Sequence, residues 1–287
     1  MSIMPRLNRL FSYNGKCLSV ALDHAGLPHA HAPMNDVFRI VDDVVAAQPD
    51  AIHLTADQAP LLQTRVGKLN PALIMRADVA NLEGVAPVSL TRSRLISRSI
   101  EQALALDAAC MVVSLRLWPD QPDLLRQCID NVHRLKSACV TYGMPLMVEA
   151  MPICPHQAQE AFVVDEDLGK LVWLVREAVT LGADIISTVP SENVDDFHEV
   201  IEAAAGKPVI PQVRGSMADV DLVTQAYAMI KQGAAGIVYG PHDVEGVHLA
   251  RIVQALRAVV HTNAKVRHVL PLLHSSSHAP HHGQVMS

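Results

Sequence analysis

Short apolar runs alternate with longer amphipathic segments along this chain. The runs are CLSVAL (17–22), AIHLT (51–55), ALIMRA (72–77), MVVSLRL (111–117), PLMVEA (145–150), DIISTV (184–189), PVIPQV (208–213) and GIVYG (236–240). Each is brief and nearly continuous in apolar residues, the pattern of a strand covered on both faces in a parallel sheet. Between them lie DVFRIVDDVVAAQ (36–48), SRLISRSIEQALAL (93–106), QPDLLRQCIDNVHRLKSACVTYG (121–143), LGKLVWLVREAVTLG (168–182), NVDDFHEVIEAAAG (193–206) and DVDLVTQAYAMIKQG (219–233). Their apolar residues recur at three and four, so each predicts a helix with one buried face. Gly143, Gly182, Gly206 and Gly233 stand just before strands, where helix C-caps are expected. The link DQAPLLQTRVGKLNP is short and predicts a small or irregular helix.

Strand–helix alternation repeated eight times predicts a closed α/β barrel, the (β/α)8 TIM barrel, in a single domain. No G-x-G-x-x-G follows an early strand, which counts against a doubly wound dinucleotide fold. The expected layout is an N-terminal extension over residues 1–15, the barrel over 16–270, and a disordered His/Ser-rich tail over 271–287. The stretch HSSSHAPHHGQVMS, from His274, has almost nothing to bury.

Composition narrows the partners. Half of the residues are hydrophobic and only 3% aromatic, which suits helices packed on a parallel sheet. The 29 acidic residues outnumber the 23 basic ones, and no basic run occurs, so nucleic acid is not an expected partner. No uncharged apolar run reaches the roughly 18 residues of a membrane span. Five scattered cysteines without a C-x-x-C pair read as reduced thiols. With no apolar leader near the N-terminus, the expected location is the cytoplasm.

In such barrels the chemistry sits at the C-terminal ends of the strands and in the loops beyond them. The first strand ends in Asp23 and His24, and the second carries His53 and Thr55. Arg76 and Asp78 follow the third, Arg116 and Trp118 the fourth, and Glu149 ends the fifth. Ser187 and Thr188 end the sixth, Gln212 and Arg214 the seventh, and Tyr239, His242 and Asp243 follow along the eighth. A carboxylate such as Glu149 is costly to bury unpaired, so it serves either in chemistry or in a salt bridge with Arg116 or Arg76. Trp118 is a lid or ring-stacking residue, or else a cover for the following helix. Asp, His and Glu at one mouth would suit a divalent ion. No tight ligand spacing occurs within a strand or helix, and the HAH of 29–31 lies in a loop, so no cofactor is expected. A Ser187–His24–Asp23 triad is poor geometry, because adjacent strand residues point to opposite faces.

The stretches GKCLSVALDHAG, GMPLMVEA, LGADIIST and QGAAGIVYG resemble the class I aldolase superfamily. This group includes archaeal-type fructose-bisphosphate aldolases, aminodideoxyheptulosonate synthases and the thiolase of the phosphorylated autoinducer. The resemblance runs from about Gly15 to about Asn263, and VQALRAVVHTN is most similar to the thiolase branch. It implies a barrel enzyme acting on a small carbonyl or sugar-type substrate, phosphorylated in the relatives, and assembly into a homo-oligomer. The family's sixth strand carries a Schiff-base lysine where this chain has Ser187. A hydroxyl cannot form an imine. The seven lysines, Lys16, Lys68, Lys136, Lys170, Lys207, Lys231 and Lys265, fall on helices, linkers or the N-terminal sides of strands.

The family's phosphate turns after strands seven and eight are altered too, to Arg214-Gly215-Ser216 and Gly240-Pro241-His242. They are expected to form an anion site of different shape. Three readings follow. In the first, a lysine-independent enzyme uses Asp23, His24, Glu149 and Ser187, with Arg76, Arg116 or Arg214 holding an anionic group. In the second, an aldolase recruits another lysine. In the third, a non-catalytic barrel binds a metabolite or a partner protein.

Overall fold

A computed structural model describes residues 1–23, 34–63, 70–80, 93–155, 162–241 and 246–274. The chain enters through helix α1 (Met4–Leu10) and then alternates strands and helices. Strand β1 (Cys17–Ala21) leads to α2 (Met34–Ala47), β2 (Ala51–Leu54), α3 (Ala59–Gln63) and β3 (Ala72–Arg76). A small antiparallel hairpin, β4 (Asp78–Ala80) with β5 (Ser93–Leu95), precedes α4 (Ser99–Ala105). Then come β6 (Cys110–Leu117), α5 (Pro122–Tyr142), β7 (Leu146–Pro155), β8 (Phe162–Val164) and α6 (Leu168–Thr180). The last quarter runs β9 (Ile185–Thr188), α7 (Phe197–Ala203), β10 (Val209–Arg214), α8 (Asp219–Lys231), β11 (Gly236–Gly240), α9 (Gly246–Thr262) and α10 (Val266–His274).

Strands β6, β3, β2, β1, β11, β10, β9 and β7 pair in that order, all parallel, and β6 pairs with β7 to close the ring. The eight apolar runs are therefore the eight staves of a closed barrel in one domain. The helix between the second and third staves is the five-residue α3, as its short link predicts. Gly143 ends α5 at φ 60°, the left-handed C-cap that glycine adopts at least cost. One expected helix is shorter than its periodicity suggests: residues 93–95 of the 93–106 segment form β5 and leave α4 only 99–105. At the far end α10 carries helix past 270 to His274, with Leu273 buried.

Alternation along each strand sorts its residues into two layers. Leu18, Val20, Ile52, Leu54, Leu73, Met75, Met111, Val113, Leu115, Val148, Ile186 and Ile237 point outward into the main core beneath the helices. Cys17, Ala51, Ala72, Ile74, Cys110, Val112, Met147, Ile185, Ile210 and Val238 point inward and fill the lower barrel as a separate apolar floor. Helix α1 seals that floor from below with Leu10, which is 1% exposed, and Arg9 holds it to Asp107 at 2.9 Å. Gly236 is required where β11 meets β1, since a Cβ there would lie 1.9 Å from the Cys17 carbonyl oxygen.

The motif LGADIIST has a structural purpose at this lower end. The Asp184 carboxylate accepts the Leu146 amide at 3.0 Å and the Lys136 ammonium at 2.9 Å, tying β9 to β7 and α5. Asp50 does the same one stave from β1, accepting the Leu18 amide at 2.7 Å and facing His261 Nε2 at 2.9 Å.

Candidate active site

Above the floor the barrel interior changes character. Ser114, Glu149 and Ser187 stand in register on β6, β7 and β9 and so share one inward tier, with Ile210 of β10 beside them. On each strand the residue two positions earlier is apolar: Val112, Met147 and Ile185. Inward positions thus run from apolar at the N-terminal end to polar at the C-terminal end, where barrel chemistry is placed.

Glu149 is the centre of this tier and has no solvent exposure. Its Oε1 accepts from Arg76 Nη2 at 3.2 Å and from Gln212 Nε2 at 2.6 Å. Its Oε2 accepts from Arg76 Nη1 at 3.1 Å, from Arg116 Nη2 at 2.9 Å and, weakly, from the Ser114 hydroxyl at 3.5 Å. The other edge of Arg76 reaches across the barrel, its Nε donating to Asp23 Oδ2 at 2.8 Å. Asp78 lies 3.6 Å from Arg76 Nη1, and its second oxygen accepts the Ser114 amide at 3.1 Å. That amide lies just beyond the last β3–β6 register pair, Arg76 with Val112, so the carboxylate provides the partner the ladder no longer does. Three carboxylates and two guanidiniums are therefore packed together inside the barrel.

The electrostatics follow from this crowding. Burial alone would lower the basicity of Arg76, but Asp23, Glu149 and Asp78 outweigh it and hold the guanidinium firmly charged. Burial pushes the Asp78 carboxyl above its usual range, with Arg76 and the Ser114 amide offsetting only part of the effect. His53 is 1% exposed and its Nε2 lies 3.1 Å from the Ser19 hydroxyl, so its ring is held within the barrel wall. The Ser187 hydroxyl is fully buried and makes no hydrogen bond among the described residues.

Of the expected site residues, the structure brings Asp23, Arg76, Arg116 and Glu149 into direct contact, with Gln212 and Asp78 in the same network. Ser187 stands beside Glu149. Arg214 ends β10 in register with Gly240 of β11, and Gly215 and Ser216 follow it. His24 and His242 lie outside the described residues, as does the HAH of 29–31. Three expectations need correction. Trp118 is 3% exposed and packs into the main apolar core, which leaves little of its ring open for stacking on a substrate. Tyr239 points outward into that core, where burial raises its hydroxyl pKa. Thr188 faces outward as well, donating to the Ala150 carbonyl at 2.8 Å. Ser114 was not singled out from sequence. Its inward parity with Arg116 on one strand is the signal that identifies it.

Six of the seven lysines are described, and each is accounted for away from this tier. Lys16 donates to the Ala234 carbonyl, Lys136 pairs with Asp184 and Lys170 with Asp165, and Lys207, Lys231 and Lys265 are exposed. Lys68 lies outside the described residues. Among the described residues no group of three or more His, Cys, Asp or Glu side chains is arranged to hold a metal ion, and no helix is long and apolar enough to cross a membrane.

Comparison with known proteins agrees with this architecture. An uncharacterised aldolase of Saccharolobus solfataricus is 23% identical over 270 residues, covering 93% of this chain and 97% of its own. The 2-amino-3,7-dideoxy-D-threo-hept-6-ulosonate synthase 1 of Archaeoglobus fulgidus is 24% identical over 265 residues, covering 92% and 93%. Among solved structures, a Schiff-base-forming fructose-1,6-bisphosphate aldolase superposes with a TM-score of 0.69 at 20% identity, covering 91% of this chain and all of that one. Residues 17–244, from the first strand of the barrel to just past the last, match the DeoC/LacD aldolases, and the chain belongs to that family.

Proposed function

We propose that this protein is a lyase of the aldolase type that cleaves or forms a carbon–carbon bond in a small carbonyl or sugar-type substrate without an imine at Ser187. The observation that carries the reading is the buried Asp23–Arg76–Glu149–Arg116 network at the C-terminal end of the barrel. Taking these charges out of water costs more than apolar packing would, and the floor below shows that this barrel can be filled with apolar side chains. Stability alone gives no reason for the network, whereas chemistry does.

In cleavage, the Asp23 carboxylate takes the proton of the substrate hydroxyl as the neighbouring carbon–carbon bond breaks. The bonding pair moves onto the carbonyl carbon skeleton as an enolate, and the protonated Asp23 returns its proton to the enolate carbon. Arg76 and Arg116 supply the positive charge that an imine nitrogen would otherwise provide, and that charge stabilises the enolate oxygen. Glu149 positions both guanidiniums. With its oxygens engaged by Arg76, Arg116, Gln212 and Ser114, it is better suited to aiming them than to moving protons.

The same saturation favours a second reading, a non-catalytic barrel that binds a metabolite, because Arg76 and Glu149 already satisfy one another. One experiment separates the readings. The protein is incubated with a panel of hydroxyketones and ketose phosphates, aldehyde release is followed, and samples treated with borohydride are weighed intact. Cleavage without a mass adduct supports the imine-free lyase. A trapped adduct on any lysine overturns it in favour of a recruited lysine, and no cleavage across the panel favours the binding protein.

A further inference from the structure

Two polar groups beside Glu149 keep hydrogen-bonding capacity that no described residue takes up, and strand register makes them neighbours. Ser187 of β9 is paired with Glu149 of β7 on one side and with Ile210 of β10 on the other. Ile210 belongs to the inward apolar floor, so Gln212, two residues further along β10, points inward as well. Ser187 and Gln212 are therefore diagonal neighbours on adjacent strands, which run about 5 Å apart. Both border the same carboxylate.

The Gln212 carboxamide is held in one orientation. Its Nε2 donates to Glu149 Oε1 at 2.6 Å. Glu149, held between two guanidiniums, offers only lone pairs, so the carbonyl end of the carboxamide cannot be the end that meets it. Gln212 Oε1 is thereby turned away from Glu149, and no described residue donates to it. Gln212 is 5% exposed and Glu149 not at all, so this edge of the network lies nearer the mouth. One inward step deeper, the Ser187 hydroxyl is fully buried and has no partner among the described residues. Leaving a hydroxyl unpaired inside a barrel is costly, and an alanine at this position would avoid the cost.

Within the proposed lyase reading, on which this step rests for the reaction, we infer that Ser187 and Gln212 form an uncharged subsite for a free hydroxyl on the carbon next to the substrate carbonyl. A hydroxyl both donates and accepts, so one group satisfies both residues. Its hydrogen goes to Gln212 Oε1 while its oxygen accepts from Ser187. The position along the substrate follows from Glu149 Oε1, which receives both Gln212 Nε2 and Arg76 Nη2. An enolate oxygen held by Arg76 brings the neighbouring carbon toward Gln212. A methyl group on that carbon leaves both polar side chains unpaired. An ionised phosphate ester there has no hydrogen to give Gln212 and adds negative charge beside Glu149. Ser187 and Gln212 are thus specificity-determining residues, and the ligand class is an α-hydroxy ketone with that hydroxyl free.

Hydroxyacetone and 2-butanone test this, since they differ only in a hydroxyl replaced by a methyl of similar size. Their affinities for the full-length protein are measured by ligand-observed NMR titration. Enolate formation is followed separately, as protein-dependent exchange of their α-hydrogens for deuterium. The wild type should bind hydroxyacetone at least about tenfold tighter than 2-butanone, one decade in Kd. Gln212→Met, which keeps the side-chain length, and Ser187→Ala should each cut that preference at least about threefold. Equal affinities, no binding of either compound, or a full preference surviving in either variant overturns the inference. If Gln212→Met does not fold, Ser187→Ala decides. Preferential binding without deuterium exchange of either compound leaves the subsite standing and removes the lyase reading. Exchange of both compounds at equal affinity keeps the lyase reading and removes the subsite.

Discussion

Glu149 receives both terminal nitrogens of Arg76, at 3.1 and 3.2 Å, with neither side chain more than 6% exposed. This two-pronged pair spans the barrel from β3 to β7 and fixes the planar guanidinium in one orientation. Its remaining edge is thereby aimed at Asp23 on β1. The geometry of the candidate site depends on this one carboxylate.

Replacing Glu149 by Gln should therefore harm the fold as well as the site. It leaves Arg76 and Arg116 without their shared counter-charge inside the barrel, a loss of about 3–5 kcal/mol for a broken buried pair. Urea denaturation monitored by circular dichroism measures it. A loss under 1 kcal/mol would mean that water reaches these arginines and that the network is not sealed.

Asp78 provides a pH test. Burial raises its pKa in the folded protein above the unfolded value. The native state then holds this proton more tightly, so the Asp78 contribution to stability is best in acid and falls as pH rises through the raised pKa. Asp78→Asn removes that titration while keeping an oxygen for the Ser114 amide. The stability of the variant relative to wild type should improve as pH rises from the ordinary carboxylate range through the raised pKa of Asp78, and level off above it. A pH-independent difference in unfolding free energy would refute the assignment.

Ser187 separates folding from chemistry. Its buried hydroxyl has no partner among the described residues, so Ser187→Ala removes an unsatisfied polar group. Thermal and urea unfolding should show a protein as stable as the wild type or about 1 kcal/mol more stable. If the hydroxyl serves the substrate, turnover should fall in the same variant. Turnover equal to wild type would remove Ser187 from the site.

Asp184 should behave in the opposite way. Asp184→Ala leaves the Leu146 amide without its acceptor and Lys136 without its partner, at a cost of about 2 kcal/mol. Because Asp184 sits at the lower end of β9, away from the Glu149 tier, the ratio of kcat/KM values between two substrates should not change. A shift in that preference would show that the lower rim communicates with the mouth.

Much of the fold could be read from spacing alone. Eight apolar runs separated by segments of helical period leave a parallel sheet little choice but to close, and the glycines before strands mark where helices stop. The hairpin of 93–95 was hidden because SRLISRSIEQALAL keeps helical periodicity throughout. Its pairing with 78–80, across residues 81–92, is a tertiary contact that local periodicity does not reveal. Site residues were legible as types at strand ends: Asp23, Arg76, Arg116 and Glu149 are polar where a buried strand has little use for polarity.

Which of those residues act together was decided by tertiary structure, for a physical reason. Strand parity determines whether a side chain faces the barrel or the helices, and only register and closure reveal that parity. Thr188 and Tyr239 fell on the outer side, while Ser114 fell beside Glu149. Sequence alone established the staves, the acids and the arginines. The closed barrel decided that Glu149 holds two of those arginines and that Asp184 belongs to the scaffold.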